Sequence, residues 1–218
     1  MAGSAPQHPC SILIADDHAV VRRGLRQVID DECGGAVVEE AATGQAVLDA
    51  VRRQDWAIVI LDINLPDKNG LEVLKDLHAL HPALPVLIIS HHAEEQYAAR
   101  AFKAGAAGYL TKDSASEELA VAIRKVLVGA RYVSSSFAEQ LAGHLAGRAA
   151  ATSHEALSDR EHLVLCRIGC GKTVSEIADE LALSVKTVST YRARLLHKLQ
   201  LANNAELMRY ALDHRLVE

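Results

Sequence analysis

Short apolar runs alternate with amphipathic stretches along the first 130 residues of the chain. The runs are rich in Val and Ile and short enough to be buried strands; they lie at Ser11–Ala15, Ala36–Glu40, Ala57–Leu61, Leu84–Ser90 and Gly108–Thr111. Between them, apolar residues recur at helical spacing, as in Val21, Leu25 and Val28. Strands that are each followed by a helix predict an α/β domain with a five-stranded parallel sheet covered on both faces. Right-handed crossovers favour a doubly wound, flavodoxin-like strand order.

The pattern changes after residue 130. Residues 131–156 are rich in Ala, Gly, Ser and His and indicate a linker, in which Phe137, Leu141 and Leu145 recur every four residues and predict one short helix. From Leu157 onward only helical patterns follow, at roughly 159–170, 174–182, 185–199 and 203–214. The chain is therefore predicted to hold an α/β domain at 10–130, a linker at 131–156 and an all-α, four-helix domain at 157–218.

Composition places both domains among ordinary globular proteins. Of the 218 residues, 50% are hydrophobic and 23% charged, which argues against disorder. No apolar run approaches the roughly 20 residues of a membrane helix, the N-terminus lacks the pattern of a signal peptide, and the four cysteines show no disulfide spacing. We therefore expect a reduced, cytoplasmic protein with no membrane partner.

Charge is distributed unevenly within the net −5. Residues 1–130 hold 12 Lys and Arg against 18 Asp and Glu, whereas residues 153–218 hold nine of each. An acidic first half and a neutral second half indicate different partners for the two domains.

Three carboxylates follow predicted strands of the first domain. Asp16 and Asp17 come after the first strand and Asp62 after the third. The carboxyl ends of parallel strands share one edge of the sheet, so we expect these side chains to meet there. Like charges raise one another's pKa, and a cluster persists most easily around a hard cation such as Mg²⁺. The backbone carbonyl of Asn64 is a further candidate ligand, and the alternative for Asp17 is a helix cap.

Ser90 and Lys112 follow the fourth and fifth strands. A hydroxyl and an ammonium at neighbouring strand ends form a phosphate cradle, although Ser90 taken alone can equally be a hydroxyl bonded to backbone. An aspartate beside such a cradle can attack a phosphoryl group and form an aspartyl phosphate. Mg²⁺ would neutralise the charge that builds up during the transfer.

Four motifs carry a resemblance to a known family: ILIADDHAVVRRGL, VILDINLPDKNGLEVL, VLIIS and AAGYLTKDS. Together they resemble the receiver domain of bacterial two-component response regulators. The resemblance implies that Asp62 is the phosphoacceptor, that Asp17 is a direct Mg²⁺ ligand and that Asp16 binds Mg²⁺ through water. It also implies that Ser90 and Tyr109 are switch residues and that Lys112 binds the phosphoryl group.

Other positions adjust this picture. Asn64, two residues past the acceptor, stands where the family tunes dephosphorylation. Ala19 and Asp113 stand where proline is common, and neither departure removes a catalytic group. Tyr109 without the motif would equally be read as a half-buried core aromatic.

A cationic helix is predicted near the end of the chain. Residues 184–200 contain four cations and no acid. A buried stripe is expected from Val185, Val188, Leu195, Leu196 and Leu199, which leaves small and polar side chains facing outward between the cations. Such a face suits entry into the DNA major groove; the alternative is an ordinary solvated helix.

The segments LSDRE, GKTVSEIADEL and LSVKTVSTYRARLLHKL resemble the LuxR-type helix-turn-helix of the NarL/FixJ class. The resemblance implies DNA as a partner, contacted through Thr173, Lys186, Thr187, Ser189, Thr190, Arg192, Ala193, Arg194 and Lys198. Among these, Thr173, Arg192 and Lys198 are the candidates for phosphate contacts. Ser189 and Tyr191 depart from the usual Lys and His, which predicts altered readout of base edges.

The two resemblances predict a response regulator transcription factor. A sensor histidine kinase would phosphorylate Asp62, which would change homodimerisation and DNA binding. A turnover phosphatase of the haloacid-dehalogenase type would need a second Asp where this chain has Asn64, so we predict no enzyme. The remaining alternative is a DNA-binding regulator independent of phosphorylation, in which the receiver only dimerises.

Overall fold

The computed structural model describes residues 10–91, 94–134, 138, 157–181, 183–214 and 216–217. The chain divides into two compact units, with the division between residues 141 and 142. The short helix predicted from Phe137, Leu141 and Leu145 lies outside the described residues. No helix in the described ranges is long and apolar enough to cross a membrane.

The first unit contains a five-stranded parallel sheet in the order β2-β1-β3-β4-β5. Its strands are β1 (Ser11–Ala15), β2 (Val37–Ala41), β3 (Ile58–Asp62), β4 (Val86–Ser90) and β5 (Gly108–Thr111). The order confirms the doubly wound prediction. β2 and β3 lie one residue later than predicted, so Asp62 is the last residue of its strand. β4 begins later than predicted because the Leu84 N–H is used in a turn to His81 and Pro85 has no N–H.

Helices follow the strands in alternation and cover the sheet. They are α1 (Ala19–Glu32), α2 (Gly44–Arg53), α3 (Gly70–Leu80), α4 (Glu94–Lys103) and α5 (Ala115–Leu127). β3 and β4 are buried along their whole length. One core forms where Leu25 and Ile29 of α1 and Leu119 of α5 pack against β1, β3 and β4. This packing holds in place the strands whose carboxyl ends carry the polar residues.

The first residues of the predicted linker extend this sheet. Tyr132 forms a parallel bridge with Gly108, accepts a hydrogen bond from the Tyr109 N–H at 3.3 Å and donates one to the Ala107 carbonyl at 3.0 Å. The Tyr132 hydroxyl donates to Glu118 at 2.8 Å. The first residues of the segment that composition alone predicts to be a linker therefore pair with β5 at the edge of the sheet.

The second unit is all-helical over its described residues. It contains α6 (Asp159–Gly169), α7 (Val174–Glu180), α8 (Val185–Leu199) and α9 (Asn204–Asp213). Capping boxes at Ser158 and Thr173 start α6 and α7, as Ser/Thr followed by Glu three residues later predicts. Gly169 allows α9 to pack closely, because a Cβ there would lie 2.7 Å from the Ala211 Cβ.

The buried stripe of α8 is narrower than predicted. Val188, Leu195 and Leu199 are buried, but Val185 is 50% exposed and Leu196 only partly buried. At about 100° per residue, Val185 and Leu196 lie roughly 60–80° from the centre of the stripe. The prediction that Val185 is buried was therefore wrong.

Candidate functional site

Two acids and a lysine meet at the carboxyl edge of the sheet. Asp16 follows β1 and Asp62 ends β3, and both are buried, at 0% and 1% exposure. The Lys112 ammonium, after β5, lies 2.5 Å from Asp16 Oδ2 and 2.8 Å from Asp62 Oδ2. Asp17 is partly exposed beside them. The structure thus brings together the buried acids and the lysine that the sequence placed after strands ending at this edge of the sheet.

Burial dominates the electrostatics of this pocket. Burial raises the pKa of Asp62, although the nearby charge of Lys112 and the Asn64 N–H oppose the rise. Burial acts to lower the pKa of Lys112, but Asp62 and Asp16 outweigh it and the pKa is raised. The pocket therefore favours the charged form of Lys112. Any further positive charge nearby would stabilise the ionised form of Asp62.

The donor set fits a magnesium ion. Asp62 Oδ1 is buried and has no well-oriented hydrogen-bond partner among the described residues. Asp16, Asp17 and Asp62 would supply hard carboxylate oxygens, which Mg²⁺ prefers. A buried oxygen that lacks a hydrogen-bond partner destabilises the folded state unless a cation or a hydrogen-bond donor approaches it. Whether the Asn64 carbonyl joins this set stays a prediction; Asn64 itself pairs with Asn69 and closes the loop after β3.

His18 is a neighbour of the pocket that sequence reasoning missed. Its Nδ1 lies 2.6 Å from Asp17 Oδ1 and 3.5 Å from Asp16 Oδ1, and its backbone N–H donates to Asp16 Oδ1 at 2.8 Å. Asp16, Asp17 and His18 each offer an atom within one ligand-sized cluster. Its position directly after the two aspartates was the available signal.

Gly70 fixes the backbone at the acceptor. A Cβ at this residue would lie 2.1 Å from the Asp62 carbonyl oxygen, closer than any side chain allows. The Gly70 N–H donates to the Ile63 carbonyl at 2.8 Å, and Asn69 caps α3 through its side chain. The loop after β3 therefore packs directly against the strand end that presents Asp62.

Ser90 and Tyr109 occupy neighbouring strands near this edge. Ser90 ends β4 and is fully buried, and its carbonyl accepts the Lys112 N–H at 2.7 Å. In the sheet register Asp62 is opposite Ile89, one residue before Ser90. Tyr109 on β5 is also fully buried. These positions are compatible with the predicted switch pair, whose roles stay predictions.

The outward face of α8 carries most of the candidate DNA contacts. Exposed side chains along it are Lys186, Ser189, Thr190, Ala193 and Arg194. Thr187 is partly buried and its hydroxyl lies 2.8 Å from the Ser184 hydroxyl. The Thr190 hydroxyl donates to the Lys186 carbonyl at 2.9 Å, so it is engaged within the helix. Small side chains and two exposed cations thus share one accessible face.

The three candidate phosphate contacts have partners inside the second unit. Arg192 is hydrogen bonded to Asn204 Oδ1. Lys198 lies 2.6 Å from the buried Glu161, whose pKa is lowered because Lys198 and Ser158 outweigh its burial. The Thr173 hydroxyl donates to Glu176 at 2.7 Å and caps α7. Their roles toward DNA stay predictions, and each contributes to the fold.

Comparison with known sequences identifies two families along the chain. The family described as "Response regulator receiver domain" matches residues 12–124, and "Bacterial regulatory proteins, luxR family" matches residues 155–211. The response regulator GacA of Pseudomonas protegens is 37% identical over 208 residues, covering 95% of this chain and 97% of that protein. The response regulator UvrY of Escherichia coli K12 is 34% identical over 207 residues, covering 94% of this chain and 95% of that protein.

Solved structures show the same architecture. A LuxR-family two-component response regulator from an Aurantimonas species is 35% identical, with a TM-score of 0.59 over 64% of this chain and 99% of that chain. RcsB of Salmonella typhimurium shares the fold at 24% identity, with a TM-score of 0.68 over 94% and 97% of the two chains. The chain therefore belongs to the response regulators that join a receiver domain to a LuxR-family regulatory domain.

Proposed function

We propose that this response regulator is switched by transfer of a phosphoryl group to Asp62 in a Mg²⁺-dependent reaction, and that the switch controls binding of α8 to DNA. The observation that carries the first step is the arrangement around Asp62. Its carboxylate is buried, one oxygen lies 2.8 Å from Lys112, and the other lacks a well-placed partner in the described part of the chain. This oxygen is the nucleophile of the proposed reaction.

The transfer needs little beyond positioning and charge. Asp62 Oδ1 forms a bond to phosphorus as the bond from phosphorus to the donor breaks, and the donor leaves with that electron pair. The Lys112 ammonium neutralises negative charge on the phosphoryl oxygens, and the Ser90 hydroxyl donates to one of them. Mg²⁺, held by Asp16, Asp17, Asp62 and the Asn64 carbonyl, would supply further charge neutralisation. The aspartyl phosphate is a signal, and Asn64 offers no second acid for turnover.

The donor and the output follow from the two domains. A sensor histidine kinase or a small acyl phosphate is the proposed donor. Ser90 and Tyr109 are the proposed switch residues, and rearrangement at β4 and β5 would promote a homodimer that presents two copies of α8. Lys186 and Arg194 are exposed on α8 and are proposed as cationic contacts to DNA. The proposed partner is DNA in the cytoplasm, bound by residues 157–218 and controlled by residues 10–130 across the linker 131–156.

Intact mass spectrometry tests the first step. The full chain is incubated with acetyl phosphate and Mg²⁺ beside Asp62→Asn, with Asp55→Asn as a control at an exposed acid. We expect one phosphoryl group on the wild type and on Asp55→Asn, and none on Asp62→Asn. Incorporation into Asp62→Asn would overturn the assignment of the acceptor.

DNA binding tests the second step. Sites are selected from a random duplex library, and fluorescence anisotropy then compares phosphorylated wild type with Asp62→Asn treated in the same way. Tighter binding by the wild type alone supports the proposal. Equal affinity for the two proteins would favour the phosphorylation-independent regulator, with the receiver acting only in dimerisation.

A further inference from the structure

An arginine outside the pocket forms a hydrogen bond with the loop that carries Asp16 and Asp17. Arg22, on the first turn of α1, donates from Nη1 to the backbone carbonyl of Asp16 at 2.7 Å. Its Nε donates to Glu40 Oε2 at 2.9 Å, near the end of β2. The Arg22 side chain is only 15% exposed. One guanidinium therefore joins the pocket loop to the neighbouring strand.

Glu40 fixes the position of this guanidinium. Its second oxygen, Oε1, accepts a hydrogen bond from Arg26 Nε at 2.9 Å, and Arg26 Nη2 donates to the Val38 carbonyl at 3.0 Å. Hydrogen bonds from Arg22 and then Arg26 lower the pKa of Glu40, so the carboxylate stays charged at neutral pH. The two arginines share one partner, but only Arg22 reaches the pocket loop.

The backbone of Asp16 is consequently bonded on both sides. Its N–H donates to the Ala41 carbonyl at 3.1 Å, and its carbonyl accepts from Arg22. The side chain is aimed by a third contact, the His18 N–H on Oδ1, which leaves Oδ2 toward Lys112. Repulsion between Asp16 and Asp62 acts on this loop, and the bonds of the Asp16 backbone to Arg22 and Ala41 restrict its movement.

We infer that Arg22, oriented by Glu40, is a positioning residue for the divalent-cation site, because it holds the Asp16 carboxylate where a cation and Lys112 meet it. The inference rests on the proposed function, since it concerns the same Mg²⁺-dependent pocket. Groups that orient metal ligands typically change metal affinity by about 10–100-fold when removed. We expect Arg22→Gln to weaken Mg²⁺ binding at the lower end of that range, about 10-fold.

Arg26→Gln is the matched control. It removes an arginine from the same helix and the same carboxylate but leaves the contact with Asp16 in place. The measurement is the thermal midpoint of the full chain, followed by fluorescence of the buried Trp56, as a function of Mg²⁺ concentration without any phosphodonor. Because a ligand that binds only the folded state raises the midpoint, the concentration dependence reports Mg²⁺ affinity apart from stability.

The expected result separates the two arginines. Both variants melt at a lower temperature than the wild type without Mg²⁺, but only Arg22→Gln requires about 10-fold more Mg²⁺ for the same rise. Arg22→Lys, which cannot donate to both partners in the same geometry, should fall between Arg22→Gln and the wild type. If Arg22→Gln does not fold, Glu40→Gln, which keeps both arginines but weakens their anchor, should show a smaller shift in the same direction.

Two results would overturn the inference. Equal Mg²⁺ dependence in Arg22→Gln and the wild type would show that Arg22 does not act on the site. Equal loss in Arg22→Gln and Arg26→Gln would show a general effect of the α1–β2 packing. A wild type that responds to no concentration of Mg²⁺ would instead refute the proposed Mg²⁺ site itself, and the inference with it.

Discussion

The Lys112 ammonium lies 2.8 Å from the carboxylate of Asp62, and both side chains are almost completely buried. A second carboxylate, that of Asp16, lies 2.5 Å from the same ammonium. The single positive charge of Lys112 thus compensates two carboxylates in a pocket that is almost inaccessible to solvent. The pocket is stable only as long as this compensation holds, which links the fold to the chemistry proposed for Asp62.

Removing the ammonium should therefore destabilise the first domain. We expect Lys112→Met to lower the free energy of unfolding by about 3 kcal/mol, because it leaves two buried carboxylates uncompensated. Urea unfolding followed by Trp56 fluorescence measures the change, with the exposed Lys103→Met as control. Adding Asp62→Asn to Lys112→Met should restore part of the loss, and strictly additive effects would contradict the charge argument.

The raised pKa of Asp62 predicts a pH dependence of stability. The native state holds a proton on this carboxyl more tightly than the unfolded state, whose pKa is near 3.8. The stability that this proton confers is complete below the unfolded pKa and is lost as the pH rises through the native pKa. Asp62→Asn should therefore gain stability relative to wild type as the pH rises above the unfolded pKa near 3.8.

Denaturant unfolding at a series of pH values tests this prediction. The difference in unfolding free energy between Asp62→Asn and the wild type is plotted against pH, with Asp55→Asn as the control at an exposed site. We expect the difference to rise and then level off once Asp62 is ionised in the native state. A difference that is flat or falls with pH would contradict the prediction.

Much of the pocket could be predicted from the sequence because its residues end strands. The apolar runs place Asp16, Asp62 and Lys112 at one edge once the sheet is parallel, and an error of one residue in a strand does not move them elsewhere. The contact between Arg22 and Glu40 could not be predicted in the same way. It depends on how α1 is rotated over β2, which the apolar spacing of either element leaves open by tens of degrees.

Two other differences have similar causes. Tyr132 lies between Arg131 and Val133 in a stretch too short to show strand alternation, so the sequence pattern does not predict its pairing with β5. Val185 shares the apolar character of the α8 stripe but lies at its margin, where composition cannot distinguish a buried from an exposed valine. Sequence patterns locate the helices and strands, whereas the packing between these elements decides whether a residue at their boundary is paired or buried.

The docked segment after α5 should be held by its side-chain contacts. Glu94 at the start of α4 accepts hydrogen bonds from the N–H and the hydroxyl of Ser134, and the Tyr132 hydroxyl donates to Glu118. We expect Tyr132→Phe to cost about 1 kcal/mol, and Glu94→Gln to weaken the hold on Ser134.

Hydrogen exchange at the Tyr109 amide reports this docking, because that N–H donates to the Tyr132 carbonyl. Both variants should exchange faster there than the wild type, while amides of β1 remain protected. Thr111→Ser, which retains its hydroxyl next to Ser114, serves as a control on β5 itself. Unchanged exchange in both variants would show that the backbone pairing holds the segment without these side chains.

Arg194 provides a test of the DNA interface that does not depend on phosphorylation. It is exposed on the outward face of α8, so Arg194→Ala should weaken binding to any duplex and reduce the salt slope by about one ion. Fluorescence anisotropy at several salt concentrations measures both, with the exposed Arg23→Ala in the receiver domain as a control. Lys198→Ala, by contrast, also removes the partner of the buried Glu161 and should lower stability as well as affinity. An unchanged salt slope in Arg194→Ala would exclude a phosphate contact for this residue. Lys186 would then be the next exposed cation of α8 to test for that contact.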